Sequence, residues 1–135
     1  MKHVLSPVDG SEQSHRALEF AARLAQDLNA KLTILAVRQY VVGRKAVANV
    51  WSDEETETIL NEAKQIADVQ FRKGALAIDR RSRDVAHAIV DYAEQHQVDL
   101  IVMGAAGKGS VKTFLIGSVS ADVLKKSVCP VTVVH

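Results

Sequence analysis

Apolar residues change their spacing several times along the chain, and each change marks a new element. Residues 3–8 (HVLSPV) and 31–37 (KLTILAV) are short β-rich runs that predict strands. Between them Ala17, Leu18, Ala21, Leu24, Ala25 and Leu28 recur at intervals of three and four, which predicts an amphipathic helix ended by Asn29. Residues 38–51 (RQYVVGRKAVANVW) keep no clean period and read as a loop. A capping pattern follows, with Ser52 three residues before Glu55 and acids gathered where a helix start favours them. The helix it opens, over residues 53–71, would bury Ile59, Leu60, Ala63, Ile66 and Ala67.

Residues 74–79 (GALAID) carry a short third strand pattern. A helix from Asp84 to about His96 turns Val85, Ile89 and Ala93 to one side, and VDLIVMG after it predicts an apolar strand ending at Gly104. The last helix begins near Gly117 with Val119, Val123 and Leu124 inward, and PVTVVH closes the chain as a fifth strand. Strands alternating with helices in this way predict a parallel sheet covered on both faces.

At 135 residues, 47% hydrophobic and 24% charged, the chain supports one core, and no linker or repeat divides residues 1–135. The 17 basic and 16 acidic residues leave a formal charge of +1, so no global field exists to grip a nucleic acid or an anionic membrane. Any anion site must be local. The N-terminus lacks the apolar core of a secretory signal and no run approaches the roughly 20 apolar residues of a membrane span, so a cytoplasmic location is expected. The single Cys129 agrees, and in its apolar run it reads as a buried small hydrophobe.

Local anion chemistry points to residues 103–118, MGAAGKGSVKTFLIGS, which hold four glycines. Glycine loses the most conformational entropy on folding, so this density implies special dihedrals or a close approach, with phosphate as the candidate ligand. In open parallel sheets ligands bind beyond the carboxyl ends of strands, where crossovers diverge. If the first and fourth strands are neighbours, PVDGS at 7–11 meets MGAAG at 103–107 there. Asp9 then faces a glycine loop, and Gly117 with Ser118 opens a helix whose N–H groups favour an anion. Plainer roles exist: Gly104 ends a strand, Ser118 caps a helix, and Asp9 caps the first helix through Ser11 and Glu12. The Walker loop is absent, since Gly109 is followed by Ser110 without the lysine, and the dinucleotide fingerprint fails because Lys112 stands where its third glycine belongs.

The spacing that does occur, G-x2-G-x9-G-S over Gly104, Gly107, Gly117 and Ser118, follows DLIVMG, while VDGS closes the first strand. This pattern resembles the universal stress protein family, and the resemblance extends over nearly the whole chain to CPVTVV. It implies a single-domain α/β fold of the adenine nucleotide alpha hydrolase type, a five-stranded parallel sheet ordered 3-2-1-4-5 with helices on both faces. It also implies an ATP site, in which Gly104, Gly107, Gly117, Ser118 and Val119 hold the phosphates and ribose, mainly through backbone N–H groups. Asp9 would face the ribose or a phosphate-bound Mg2+. Pro7, Val8, Val37 and Met103 would wall the adenine, and Lys108 with Lys112 would add countercharge.

Efficient phosphoryl transfer needs a positioned water and a cationic clamp, which this sequence does not assure. The resemblance therefore implies a small ATP-binding regulatory switch of the stress response with at most slow hydrolysis. It also implies a homodimer through residues 131–134, an apolar terminal strand with no lysine or inner proline to block pairing. A dimeric interaction module that binds no nucleotide is the alternative. Trp51 either stacks on a base or pins its segment to the core. Arg72, Lys73, Arg80, Arg81 and Arg83 read as a solvated edge, since Asp79 and Asp84 interrupt them and no aromatics interleave. Many family members carry a glycine and a proline there, which leaves the shape of this segment open. Five scattered histidines have no metal-ligand spacing, so no structural metal is expected.

Overall fold

Three strands are apolar on both faces, and the chain surrounds them. The computed structural model describes residues 1–106 and 116–135. In chain order these form β1 (His3–Val8), α1 (Glu12–Leu28), β2 (Lys31–Val42), β3 (Val47–Asn49), α2 (Asp53–Gln70), β4 (Leu76–Ser82), α3 (Val85–Gln95), β5 (Leu100–Gly104), α4 (Ser118–Lys126) and β6 (Val131–Val134). Five strands run parallel in the order β4-β2-β1-β5-β6, which is the expected 3-2-1-4-5 once the strands are renumbered.

Side chains alternate between two core clusters, as strand geometry dictates. Val4 and Val8 of β1, Leu32, Ile34 and Ala36 of β2, and Leu100 and Val102 of β5 pack with α1 and α2. Their neighbours Leu5, Leu35, Val37, Ile101 and Met103 pack with α3 and α4 on the other face. Burying a single side chain such as Leu5 or Ile101 contributes about 1.5–3 kcal/mol.

Helix ends follow the local sequence. Ser11 caps α1 by accepting the Ser14 N–H, and Asn29 ends it at φ 55°, the left-handed conformation asparagine tolerates. Ser52 and Glu55 form a reciprocal capping box on α2. Asp84 caps α3 by accepting the His87 N–H. At the amino end of the strands, the Asp99 carboxylate accepts the Lys2 and His3 N–H groups at 2.7 and 2.9 Å, tying the start of β1 to β5.

Four expectations need correction. Residues 38–51 are not a loop: β2 runs on to Val42 and pairs antiparallel with β3, so the sheet has a sixth strand and is not purely parallel. This hairpin escaped the periodicity because it extends past both helix layers, leaving Val41, Val42, Val47 and Val50 exposed. The third strand lies at Leu76–Ser82 instead of 74–79, and its second half carries Arg80 and Arg81, which pair in register with Val37 and Arg38. Leu28 and Leu124 face solvent at 45% and 43% exposure, each just beyond the buried stripe of its helix. Cys129 is half-buried beside the α3/α4 cluster and not fully enclosed, with Sγ 3.4 Å from the Ser127 Oγ.

Arg80 and Arg81, the two basic residues of β4, sit exposed, and both find aromatic partners brought in from elsewhere: Arg80 lies over Tyr92 and Arg81 over Tyr40. Among the described residues no helix is long and apolar enough to cross a membrane, and no group of three or more His, Cys, Asp or Glu is arranged to hold a metal.

Candidate functional site

The turn after β1 locks itself. Gly10 takes φ 82°, which reverses the chain so that the Asp9 Oδ1 accepts the Ser11 N–H at 2.9 Å. The Ser11 Oγ accepts the Ser14 N–H, and the Ser14 Oγ donates to the Ser11 carbonyl and accepts weakly from the Asp9 N–H at 3.4 Å. Asp9 thus supports the cap of α1, as one of its two readings has it, by holding Ser11 in place. The helix bond itself comes from Ser11.

The end of β5 approaches α1 so closely that only glycine fits at 104. A Cβ there would lie 2.9 Å from the Gln13 carbonyl carbon and 3.0 Å from the Ser14 nitrogen. The Gly104 carbonyl accepts the Ser120 hydroxyl at 2.7 Å, which draws the start of α4 against the strand end. The Ala106 N–H donates to the Gln13 side chain at 2.8 Å. The Gly117 N–H donates to the Ala105 carbonyl at 2.7 Å. Gly117 then stands as the N-cap of α4 with no side-chain bond across the helix start. Its own amide is therefore engaged, and the donors the first turn offers are those of Ser118, Val119 and Ser120, which have no acceptor within the helix.

These pieces border one cavity of about 570 Å3 at the carboxyl end of the sheet. Pro7, Val8, Asp9, Val37, Met103, Gly104, Gly117, Ser118 and Val119 all line it, so every described residue of the expected site comes together. Gly107, Lys108 and Lys112 lie outside the described residues. Ser11 and Ala106 line it too, within the two segments expected to meet there, and residues not anticipated as lining include Ser14, Leu35, Val50, Val85, Ile89 and Ser120. Val85 and Ile89 carried a signal, the inward stripe of α3. Ser14 and Ser120 carried none, since each arrives one turn inside a helix.

Strand order gives the cavity a direction. Leu35 and Val37 come from β2, Pro7 to Asp9 from β1, and Gly104, Ala106 and the α4 start from the β5 side. Since β1 separates β2 from β5, the apolar and polar ends stand two strand spacings apart, on the order of 10 Å. The β5 end offers helix-start amides and hydroxyls; the β2 end offers hydrocarbon. No Lys, Arg or His lies among the described lining residues. The volume falls within the usual range for small-molecule sites, about 300–1,000 Å3.

Trp51 pins its segment to the core, as one of its two readings has it, and it also borders the cavity. It is half-buried, packs on the α1/α2 cluster, and lines the cavity from that side. The segment that carries it is tethered by Arg38 within β2, which donates to Asp79 of β4 at 2.6 Å and to Asp53 at the start of α2. The Asp79 hydrogen bond is the main cause that holds the Arg38 guanidinium above its ordinary pKa.

Comparison with known proteins matches residues 1–135 to the family model described as the universal stress protein family. The chain is 32% identical over 144 aligned residues to the universal stress protein YxiE of Bacillus subtilis, covering 98% of this chain and 97% of that protein. It superposes on a universal stress protein solved in complex with cAMP, with a TM-score of 0.78, 27% identity, and 99% and 97% of the two chains covered. A universal stress protein from Archaeoglobus fulgidus in complex with dAMP matches with a TM-score of 0.68, 25% identity, and 100% and 98% coverage.

Proposed function

Given that the chain belongs to the universal stress protein family, we propose that its cavity binds an adenine nucleotide and that the protein acts as a nucleotide-dependent regulatory switch. The observation that carries this reading is the direction of the cavity. An open helix start lies at the β5 end, hydrocarbon walls lie at the β2 end, and the Asp9 turn follows β1 between them, so a phosphate and a base would each meet fitting chemistry. Two structural neighbours are complexes with cAMP and dAMP, which share the adenine base and one phosphate.

ATP with Mg2+ is the proposed ligand. Ser118 and Val119 would hold phosphate oxygens through their N–H groups, the Ser118 hydroxyl would add a donor, and Gly107 and Lys108 would complete the cradle. Hydrogen bonds to such charged oxygens are worth about 1.5–3 kcal/mol each. Asp9 has one carboxylate oxygen committed to the Ser11 N–H, which leaves the other for the ribose or for Mg2+ carried on the phosphates. Pro7, Val8, Val37 and Met103 would enclose the base. Efficient phosphoryl transfer needs a positioned water and a cationic clamp on the developing charge, which the sequence does not assure, so binding with at most slow hydrolysis is the proposed activity.

Equilibrium dialysis with ATP and magnesium tests the proposal, run on the wild-type protein and on Gly107→Val. The wild-type protein should retain ATP and the variant should not; equal retention by both would defeat the assignment. Phosphate release measured alongside should stay far below one turnover per second, the lower end of ordinary enzyme rates.

A second reading rests on β6, the outer strand of the sheet, whose four residues are only half-buried against this chain. Pairing of that edge between two copies would form a homodimer. Light scattering that gives one chain mass at every concentration would exclude it. A dimer that retains no ATP would favour an interaction module over a nucleotide switch.

A further inference from the structure

The β2 end of the cavity has a wall that the motif did not announce. Trp51 and Val50 reach it from the segment between β3 and α2, whereas Val37, Leu35, Val85 and Ile89 reach it from the α3/α4 side of the sheet. The two walls therefore approach the same space from opposite layers. Trp51 is the only aromatic side chain among the described lining residues, and it is half-buried, with part of its surface on the α1/α2 cluster and part on the cavity.

Three observations fix where it stands. It precedes the Ser52 capping box of α2 directly, so the start of a well-capped helix sets its backbone. The Val50 N–H donates to the Gln39 carbonyl at 2.8 Å, which holds the segment on β2. Arg38 ties β2 to Asp53, two residues beyond Trp51, and to Asp79 of β4. The backbone that carries the indole is thus held on both flanks by bonds within the protein, so less of it has to be ordered when a ligand stacks there.

We propose that Trp51 is the base-contacting wall of this cavity, packing on a purine ring and favouring purine over pyrimidine nucleotides. The inference rests on the nucleotide reading above and adds the residue that selects the base. The anion determinants at the β5 end are common to every nucleotide, so discrimination among bases must arise at the β2 end. That end presents few side-chain polar groups, and a large flat surface there recognises ring area. A purine covers more of an indole than a pyrimidine does.

The chain has one tryptophan, so its emission reports this position alone. The test is a titration of the full-length protein with ATP and magnesium, and separately with UTP and magnesium. Tryptophan emission is followed, and binding is measured independently by equilibrium dialysis. ATP should change the emission saturably with a midpoint equal to that from dialysis, and UTP should bind more weakly. Trp51→Ala should weaken ATP binding about fivefold or more, while Trp51→Phe should retain most of it. Thermal melts of both variants check that they fold; if the alanine variant does not, the phenylalanine variant and the wild-type emission decide. ATP bound at full affinity by Trp51→Ala, or bound to the wild-type protein without any change in emission, would overturn the role of Trp51 and leave the nucleotide site standing. No excess of ATP on the protein side of the dialysis membrane would overturn both.

Discussion

Replacing Gly104 by alanine puts a methyl group where the backbone of α1 already stands. The added Cβ would lie 2.9 Å from the Gln13 carbonyl carbon and 3.0 Å from the Ser14 nitrogen, well inside ordinary carbon contact. Neither atom is the end of a flexible side chain, so strand or helix must shift by several tenths of an ångström. Overpacking of this kind costs about 1–3 kcal/mol. With an unfolding entropy of about 2.1 cal/mol/K per residue, a chain of 135 residues loses roughly 3.5 °C in Tm for each kcal/mol, so Tm should fall by about 4–11 °C. The assay is a thermal melt followed by far-ultraviolet circular dichroism. Gly43→Ala is its control, since the Cβ there meets only the Ala46 carbonyl at 3.3 Å in an exposed hairpin turn and should cost within about 0.5 kcal/mol. A Gly104→Ala melt within about 1 °C of the wild-type protein would refute the claim that β5 and α1 meet too closely for any side chain.

Three further outcomes follow from named contacts. Ser52→Ala removes the capping box of α2 and should lower stability by about 1 kcal/mol in urea denaturation; an unchanged midpoint would mean the helix start is held by other contacts. His3 is buried with Nε2 2.8 Å from the Thr33 Oγ1, and burial is the main cause that pushes its pKa below the ordinary 6.5. The unfolded chain then takes up a proton that the fold resists, so this stability is complete above about pH 6.5 and is lost as pH falls toward the lower folded value. Comparing urea midpoints at about pH 7.5 and about pH 5, His3→Gln should reduce the loss on acidification; an equal loss would assign it to other groups. Arg38→Met breaks the ties to Asp53 and Asp79 and should shift Trp51 emission to the red, and an unmoved spectrum would show that the capping box and the Val50–Gln39 bond suffice to set the indole.

The parts of the fold that were legible in the sequence are those whose burial has a period. β1, β5 and β2 as far as Val37 are covered by helices on both sides, so most residues are apolar and the strands stand out. Helix α2 carries its start in Ser52 and Glu55. The hairpin of β2 and β3 was illegible for the converse reason: beyond the helix layers neither face is buried, and valines alternate with cations to no period. The same holds for the second half of β4, where pairing with β2 extends a strand through exposed Asp79, Arg80 and Arg81.

The expected cavity residues divide similarly. Pro7, Val8, Asp9, Met103 and Gly104 sit at strand ends, and strand order alone brings them together. The wall from Trp51 and the Ser120 hydroxyl that fixes Gly104 depend on how a hairpin and a helix fold back over the sheet. No local spacing encodes that approach.

The central claim, an adenine nucleotide lying across the carboxyl end of the sheet with phosphate at α4 and base at β2, is tested most directly by amide chemical-shift mapping with ATP and magnesium. The amide signals of Ser118, Val119 and Ser120 at one end, and those of Val37 and Trp51 at the other, should move together and saturate with a single midpoint. Signals that stay fixed at millimolar ATP, or that move only along β6, would contradict it.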